Sequence, residues 1–399
     1  MRTEKLKIIE NKINRSNWIK FKFSDLVENI TEKVSPKNSN LEHYIGLKHL
    51  DSGSLEINRF GETSDLKGEK QKIYEGDFIL AKRNAYLKRV AIAKFDALAS
   101  AHSFVLRAKA ENILPSFLPF FLLSEKFWSK AIEISVGSLS PTINWKALAK
   151  QEFLLPKKND QLELSQLLWS IEEMIKNNNK VFDNLNLSYQ AKIEESVPRN
   201  CKQTWMLGDI CNFRRGATYK SSDYSNESIG IPALNLNSVA VGGGFNKQGT
   251  KFFSGIYKQE HFVTNEDLII ACTDITRHGR VVGYPLHFSA YQNKKMLFTM
   301  DLAAISINNK DILRDYFYYV LKAGWVHWKF FANSPGTTVL HLDIQAIKKI
   351  KIPKIDKNIQ KEIIKNLKML ETSILEMKEQ IDKACNLKKS LINQVFNDI

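Results

Sequence analysis

One stretch of this chain occurs twice, and the second copy follows the first by a constant 199 residues: Gln161–Glu195 and Gln360–Gln394. In the first copy Leu164, Leu168, Ile171, Ile175, Asn178, Phe182, Leu185, Tyr189 and Lys192 step by alternating fours and threes, the 3.5-residue period of a coiled-coil seam. The second copy carries Ile363, Leu367, Leu370, Ile374, Met377, Ile381, Ala384, Lys388 and Leu391, so Asn178 is answered by Met377 and Lys192 by Leu391. A helix with a single apolar seam has to bury it. The nearest stripe of the same kind is its own copy, and an intramolecular helix pair is expected. The seam alone fits parallel or antiparallel pairing, and Asn178 suits either a register-fixing seam residue or a frayed or bulged helix.

The chain around the helices is duplicated too. Trp18–Leu26 ends in Phe23-Ser24-Asp25-Leu26, and Trp205–Ile210 holds Leu207-Gly208-Asp209-Ile210. Tyr74-Glu75-Gly76-Asp77-Phe78-Ile79-Leu80-Ala81 is echoed by Thr264-Asn265-Glu266-Asp267-Leu268-Ile269-Ile270-Ala271, a polar turn feeding a short apolar strand. A polar, basic loop and a returning strand (Val90–Phe95, Val281–Tyr284) follow each. The apolar segments Leu114–Ile134 and Ile312–Phe331 are too long for strands and read as helices, with Pro115 suited to a first turn and Asp311 to an N-cap. Each leads to a glycine with hydroxyl residues, then a strand ending at Pro156 or Pro353. The spacing from proline to helix differs between the copies, so drift is confined to loops. The whole chain is a tandem duplication of two globular units, each followed by a long helix. The expected segments are a lead-in, 1–16; a first globular domain, 17–156; a central helical region and linker, 157–200; a second domain, 201–353; and a C-terminal helical region, 354–399.

The length of 399 residues and 43% apolar content suffice for real cores. Lysine and arginine number 58 against 43 acidic residues, a net charge of +15, which favours a polyanionic partner, foremost nucleic acid. A basic protein from a lysine-rich proteome is the plainer alternative. Cys201, Cys211, Cys272 and Cys385 show no metal-ligand spacing and suit a reducing cytosol. Met1–Glu10 lacks the apolar core of a signal peptide, and no run approaches 18 apolar residues. A soluble cytoplasmic protein with no membrane association is expected.

Taken in order, these features resemble the specificity subunit of Type I restriction-modification systems. The resemblance is carried by Asp25-Leu26 and Asp209-Ile210, by Gly76-Asp77-Phe78-Ile79 and Glu266-Asp267-Leu268-Ile269, by Gly137-Ser138 and Gly336-Thr337, and by the runs Pro156…Gln161 and Pro353…Gln360. The second unit departs with Glu266 in place of Gly76, and its post-strand loop differs in length and chemistry. The resemblance implies an α+β fold: two pseudo-two-fold-related target recognition domains separated by an antiparallel coiled coil of the two long helices. It implies a non-catalytic subunit in which each domain reads one half of an asymmetric, bipartite target in double-stranded DNA. It also implies two docked modification (methyltransferase) subunits, with restriction (translocase/nuclease) subunits outside them. No cofactor is expected on this chain; S-adenosylmethionine, ATP and Mg²⁺ belong to the partners. If the helices are antiparallel, the 28 steps from Leu164 to Lys192, at about 1.5 Å each, set the footprints roughly 12 base pairs apart.

Reading bases takes arginine or lysine for guanine and asparagine or glutamine for adenine, among groups that hold phosphates. The post-strand loops supply both types: Lys82, Arg83, Asn84, Tyr86, Lys88 and Arg89 in the first unit, and Thr273, Asp274, Thr276, Arg277, His278 and Arg280 in the second. Arg214, Arg215, Thr218 and Lys220 form another basic cluster. For each charge the competing reading is a solvated surface. Ser138 and Ser140, with Thr337 and Thr338, suit phosphate contact or an ordinary turn. The aromatic run Tyr316-Phe317-Tyr318-Tyr319, with Trp325 and Trp328, fits a core better than base stacking.

No catalytic motif stands out. Asn-Pro-Pro-Tyr, Gly-x-Gly-x-x-Gly and His-Glu-x-x-His are missing, Gly244–Lys251 inverts the P-loop order at Thr250-Lys251, Glu376-Met377-Lys378 lies on a helix, and the eight histidines form no metal cluster. Three alternatives stay open: the specificity subunit of a related Type II system with a fused methyltransferase-nuclease, a coiled-coil scaffold indifferent to DNA, and a stand-alone nuclease.

Overall fold

The computed structural model describes residues 15–64, 66–276, 278–286 and 295–396. Two compact units form, and their boundaries cut through the long helices. Unit 1 comprises Met1–Asn179 with Glu379–Ile399, and unit 2 comprises Lys180–Lys378.

The central strand of unit 1 is buried on both faces. Phe78–Ala81 is buried at all four positions, as the unbroken apolar run Phe-Ile-Leu-Ala demands. It lies inside a four-stranded antiparallel sheet in the order Val27–Ile30, Ser103–Ala108, Phe78–Ala81, Val90–Ile92. A second sheet orders Lys33–Val34, Lys70–Ile73, Ala97–Ala99, His43–Ile45 and Gly61–Glu62, with one parallel pair. Ile19–Lys22 pairs antiparallel with Glu152–Leu155.

Unit 2 repeats this plan. One four-stranded sheet runs Cys211–Arg215, Leu302–Ile307, Leu268–Ala271, Pro285–Leu286, a second runs Tyr224–Ser225, Lys251–Phe253, Ile231–Leu234, Leu297–Phe298, and Thr204–Met206 pairs with Lys351–Pro353. The returning strand expected at Val281–Tyr284 is instead Pro285–Leu286, preceded by a single bridge between Ala271 and Val282.

Each long apolar segment expected as one helix forms two. Leu118–Leu123 and Glu125–Glu133 are parted at Ser124, which is extended (φ −71°, ψ 147°) and caps the second helix by accepting from the Phe127 amide. Arg314–Lys322 and Gly324–Ala332 are parted at extended Ala323. Asp311 is not the N-cap. That place falls to Leu313, while the Asp311 carbonyl accepts from Gln360. Of the aromatic run, Tyr316, Phe317, Tyr318, Tyr319 and Trp325 are core, and Trp328 is exposed.

The two long helices span Lys158–Ser196 and Lys357–Phe396. Unit 1 holds the start of the central helix with the end of the C-terminal one, and unit 2 holds the reverse, so the helices pair antiparallel. In unit 1 Leu168, Ile171 and Ile175 share a core with Ala384, Leu391 and Ile392, with Leu164 packed against it. In unit 2 Tyr189 and Ile193 share one with Leu367, flanked by Ile363, Leu370 and Ile374. The seam positions Phe182, Leu185, Met377 and Ile381 are half-buried. Lys192 is not a seam residue: it pairs with Glu195 at 2.9 Å, and Ile193 takes the buried place.

Polar groups inside the helix contacts are matched. Lys388 pairs with Glu172 at 2.7 Å in unit 1. The residues that repeat these 199 positions away are Tyr189 and Glu371, and in unit 2 the Tyr189 hydroxyl donates to Glu371. Buried Lys322 donates to the Tyr189 hydroxyl at 2.9 Å, and Tyr319 donates to Glu371 at 3.0 Å. Burial lowers the Lys322 pKa, and Glu371 partly offsets this.

Gln161 and Gln360 are buried and do the same work in each unit. The Gln161 amide accepts from Leu114 N at 2.9 Å and donates to the carbonyls of Asn112 (3.3 Å) and Pro156 (2.9 Å). Gln360 accepts from Leu313 N and donates to Asp311 and Ile355, each at 2.8 Å. Each glutamine thus ties the first turn of a long helix to two loops of its unit. Gln161→Leu and Gln360→Leu should each lower the unfolding free energy by about 2 kcal/mol, because backbone groups are left unpaired. Urea denaturation checks this, and midpoints unchanged from the parent protein would contradict it.

Candidate DNA interface

Each polar post-strand loop is stitched to the glycine loop that lies far from it in sequence. In unit 1 the Lys82 carbonyl accepts the Ile143 amide at 2.8 Å and the Pro141 carbonyl accepts the Ala85 amide at 3.3 Å. Arg83 forms a β-bridge with Thr142, and its guanidinium reaches Ser140 Oγ at 3.4 Å. The glycine loop closes through reciprocal Val136 and Thr142 hydrogen bonds of 3.0 and 2.9 Å. In unit 2 the Cys272 carbonyl accepts the Leu342 amide at 2.8 Å, Thr273–Asp274 pairs with Leu340–His341, and the His341 amide donates to Pro335 at 3.0 Å. A Cβ at Gly336 (φ +144°) would meet the Val339 carbonyl oxygen at 1.9 Å, so this turn requires glycine.

The loop of unit 1 is a single 3₁₀ turn, Ala85–Leu87, held between two left-handed residues, Asn84 (φ 55°) and Lys88 (φ 48°). Such conformations cost about 1 kcal/mol or more outside glycine, and they need support. Lys88 has it in an ion pair with Glu125. Arg89 turns inward to the Leu47 carbonyl at 2.7 Å, and burial pushes its pKa down. Lys82 is half-buried over the Phe104 ring, its pKa lowered by burial and by Lys33. Lys88 and Arg89 therefore hold the loop together. Arg83, Tyr86 and Ser138 are the exposed members of the predicted set.

Unit 2 corrects three assignments. Asp274 is fully buried, and its carboxylate accepts from the Thr276 amide and hydroxyl (2.7 Å each) and from the Val281 and Val282 amides (2.8 and 3.3 Å). Burial alone would raise its pKa, but these donors together hold it below the ordinary value. Asp274 organises the loop from within and does not face outward. Thr273 is buried with its hydroxyl on Asp301 at 3.1 Å. Arg214 pairs with Asp267, which is 1% exposed, and donates to the Glu260 carbonyl. Its neighbour Arg215 is exposed and reaches the carbonyls of Met300 (3.3 Å) and Leu342 (3.5 Å), which places it at the stitched loops. Adjacent strand residues point to opposite faces, so what looks like one basic cluster is divided. Thr218, Lys220, His278, Arg280 and Thr337 are exposed, Thr276 is half-buried, and Arg277 lies outside the described residues.

The aspartate shared by both units has a structural cause. Asp77 accepts from the Tyr74 amide at 3.0 Å and from Arg107 at 2.8 and 3.0 Å. Asp267 accepts from the Thr264 amide at 2.8 Å, from Ser306 Oγ at 2.9 Å and from Arg214. A buried carboxylate needs a cation, and the units recruit it from different strands. Arg107→Ala and Arg214→Ala should each cost about 2–3 kcal/mol of stability by leaving that carboxylate unpaired. Thermal or urea unfolding measures this, and a loss below about 0.5 kcal/mol in either variant would contradict the assignment.

Among the described residues no cluster of three or more His, Cys, Asp or Glu could hold a metal ion, and no helix is long and apolar enough to cross a membrane.

The model of the Type I restriction modification DNA specificity domain matches this chain twice, at residues 15–186 and 202–386. A protein of Methanocaldococcus jannaschii assigned as the type I restriction enzyme MjaX specificity subunit is 22% identical over 415 aligned residues, covering 94% of this chain and 92% of the relative. The type I restriction enzyme EcoDI specificity subunit of Escherichia coli is 26% identical over 190 residues, 44% of this chain and 41% of its own length. Among solved structures, a chain from a study of type I R-M complex assembly and conformational transition has a TM-score of 0.61 at 16% identity, with 96% of this chain and 98% of that one covered. The S subunit of the Type I system of M. genitalium has a TM-score of 0.53 at 15% identity, with 96% and 97% covered. With both halves matched by one domain model and the fold shared along nearly its full length, this chain belongs to the family of Type I restriction-modification DNA specificity subunits.

Proposed function

We propose that each unit reads one half of an asymmetric, bipartite target in double-stranded DNA through its stitched pair of loops. One observation carries this. The same backbone frame, a post-strand loop hydrogen-bonded to a glycine loop, occurs in both units but presents Arg83, Tyr86 and Ser138 in one and Arg215, His278, Arg280 and Thr337 in the other. A repeated frame with exchanged side chains is what two readers of different half-sites need. The net charge of +15 supplies the phosphate attraction that is independent of sequence.

In this reading the chain is a non-catalytic cytoplasmic subunit. The helix pair sets the length of the unread spacer, and its outer faces dock two modification subunits, with restriction subunits joining outside. The partners use S-adenosylmethionine, ATP and Mg²⁺. A Type II partner with fused methyltransferase and nuclease would use the same recognition frame, and genes next to this one distinguish the two.

Exchanging residues 17–155 for those of another family member should change one half of the methylated sequence and leave the other intact, as read by methylation-sensitive sequencing of the host genome. A change in both halves, or in neither, would overturn the division of labour.

A further inference from the structure

The glycine loop of unit 1 holds two exposed apolar side chains, Val136 at its base and Leu139 at its tip, that its polar surroundings do not explain. Leu139 is 93% exposed, the most exposed large apolar residue among those described, between Ser138 and Ser140 at the loop tip. A lone exposed leucine is ordinarily unremarkable, but the backbone loop that carries this one is tied at its base. The loop is closed on either side by the Val136–Thr142 hydrogen bonds, Gly137 turns it at φ +113°, and the neighbouring Ser140 is within reach of Arg83. Tyr86, 55% exposed, stands on the loop stitched to it. The matching position in unit 2, 199 residues on, is Thr338, and the apolar residue of that tip, Val339, is half-buried, so an outward apolar side chain stands at this position in unit 1 alone.

On a DNA-reading face, an outward apolar side chain on a tied loop beside an arginine has a defined use. The thymine 5-methyl is the one apolar group on a base edge of the major groove. Building on the reading above, we propose that Leu139 is a specificity-determining residue that packs against the 5-methyl group of a thymine in the half-site read by unit 1. Arg83 beside it supplies the polar contact, and unit 2, with Thr338 there, reads its half-site without this contact.

The test uses the full-length chain bound to its modification subunits and duplexes carrying the target found by methylation sequencing. Each thymine of the unit 1 half-site is replaced in turn by uracil, which removes only the methyl group. One such replacement should weaken binding by the parent protein about fourfold, the worth of one buried methyl. Leu139→Ala should bind the thymine duplex about as weakly as the parent binds the uracil one and should respond to no replacement. A parent complex indifferent to every uracil, a Leu139→Ala complex that keeps the response, or a half-site without an A·T pair would each overturn the inference. Arg83→Ala separates this from the underlying reading. If it weakens binding while Leu139→Ala leaves the uracil response intact, the loops touch DNA but Leu139 does not read the methyl. If neither substitution changes binding, the loop pair is not the DNA interface.

Discussion

The structure depends on the apolar seam of the two long helices, because neither globular unit closes its core without it. In unit 1 the rings of Phe117 and Phe121 pack on Phe396, the last described residue of the C-terminal helix. Leu391, Ile392 and Val395 lie in the same core as Phe23 and Trp128. In unit 2 Ile193, Val197 and Leu367 lie with Tyr316 and Phe330. Each unit therefore uses helix segments that lie about half the chain apart. Within each unit a stretch of the seam forms one wall of the core, and fully burying a large apolar side chain there contributes about 1.5–3 kcal/mol.

This explains the polar residues placed at that wall. Gln161 and Gln360 satisfy loop backbone groups that the helix starts would otherwise bury unpaired. Glu172 with Lys388, and Glu371 with Tyr189 and Lys322, match charge and hydrogen-bonding capacity at sites the duplication relates by 199 residues. The two halves have diverged in which side chains meet each need while keeping the need itself. Asp77 and Asp267, served by arginines from different strands, show the same pattern. Such freedom in satisfying a fixed frame is also what allows the surface loops to differ.

Much of the architecture was legible because it is written locally. The 3.5-residue stripe, the buried runs Phe78–Ala81 and Leu268–Ala271, and the glycine turns each follow from periodicity or backbone sterics. The breaks at Ser124 and Ala323 were not, because both residues sit within apolar segments and their extended backbone is settled by packing. The candidate loops were legible as exposed polar segments, but the direction of their side chains was not. Arg214 and Arg215 are neighbours in sequence but face opposite sides of a strand. Asp274 lies in a polar loop yet points inward, because the Val281 and Val282 amides need an acceptor. The joining of Lys82–Arg83 to Thr142–Ile143 spans about sixty residues, and no local signal announces it.

The central claim is that one chain carries two independent readers on a duplicated frame. Sequencing the methylated bases in a host that carries this chain with its modification partner tests it most directly. The account predicts a single motif of two short, unlike specified parts separated by an unread gap of constant length. A continuous motif, a palindromic one, or a genome with no methylation dependent on this chain would contradict it.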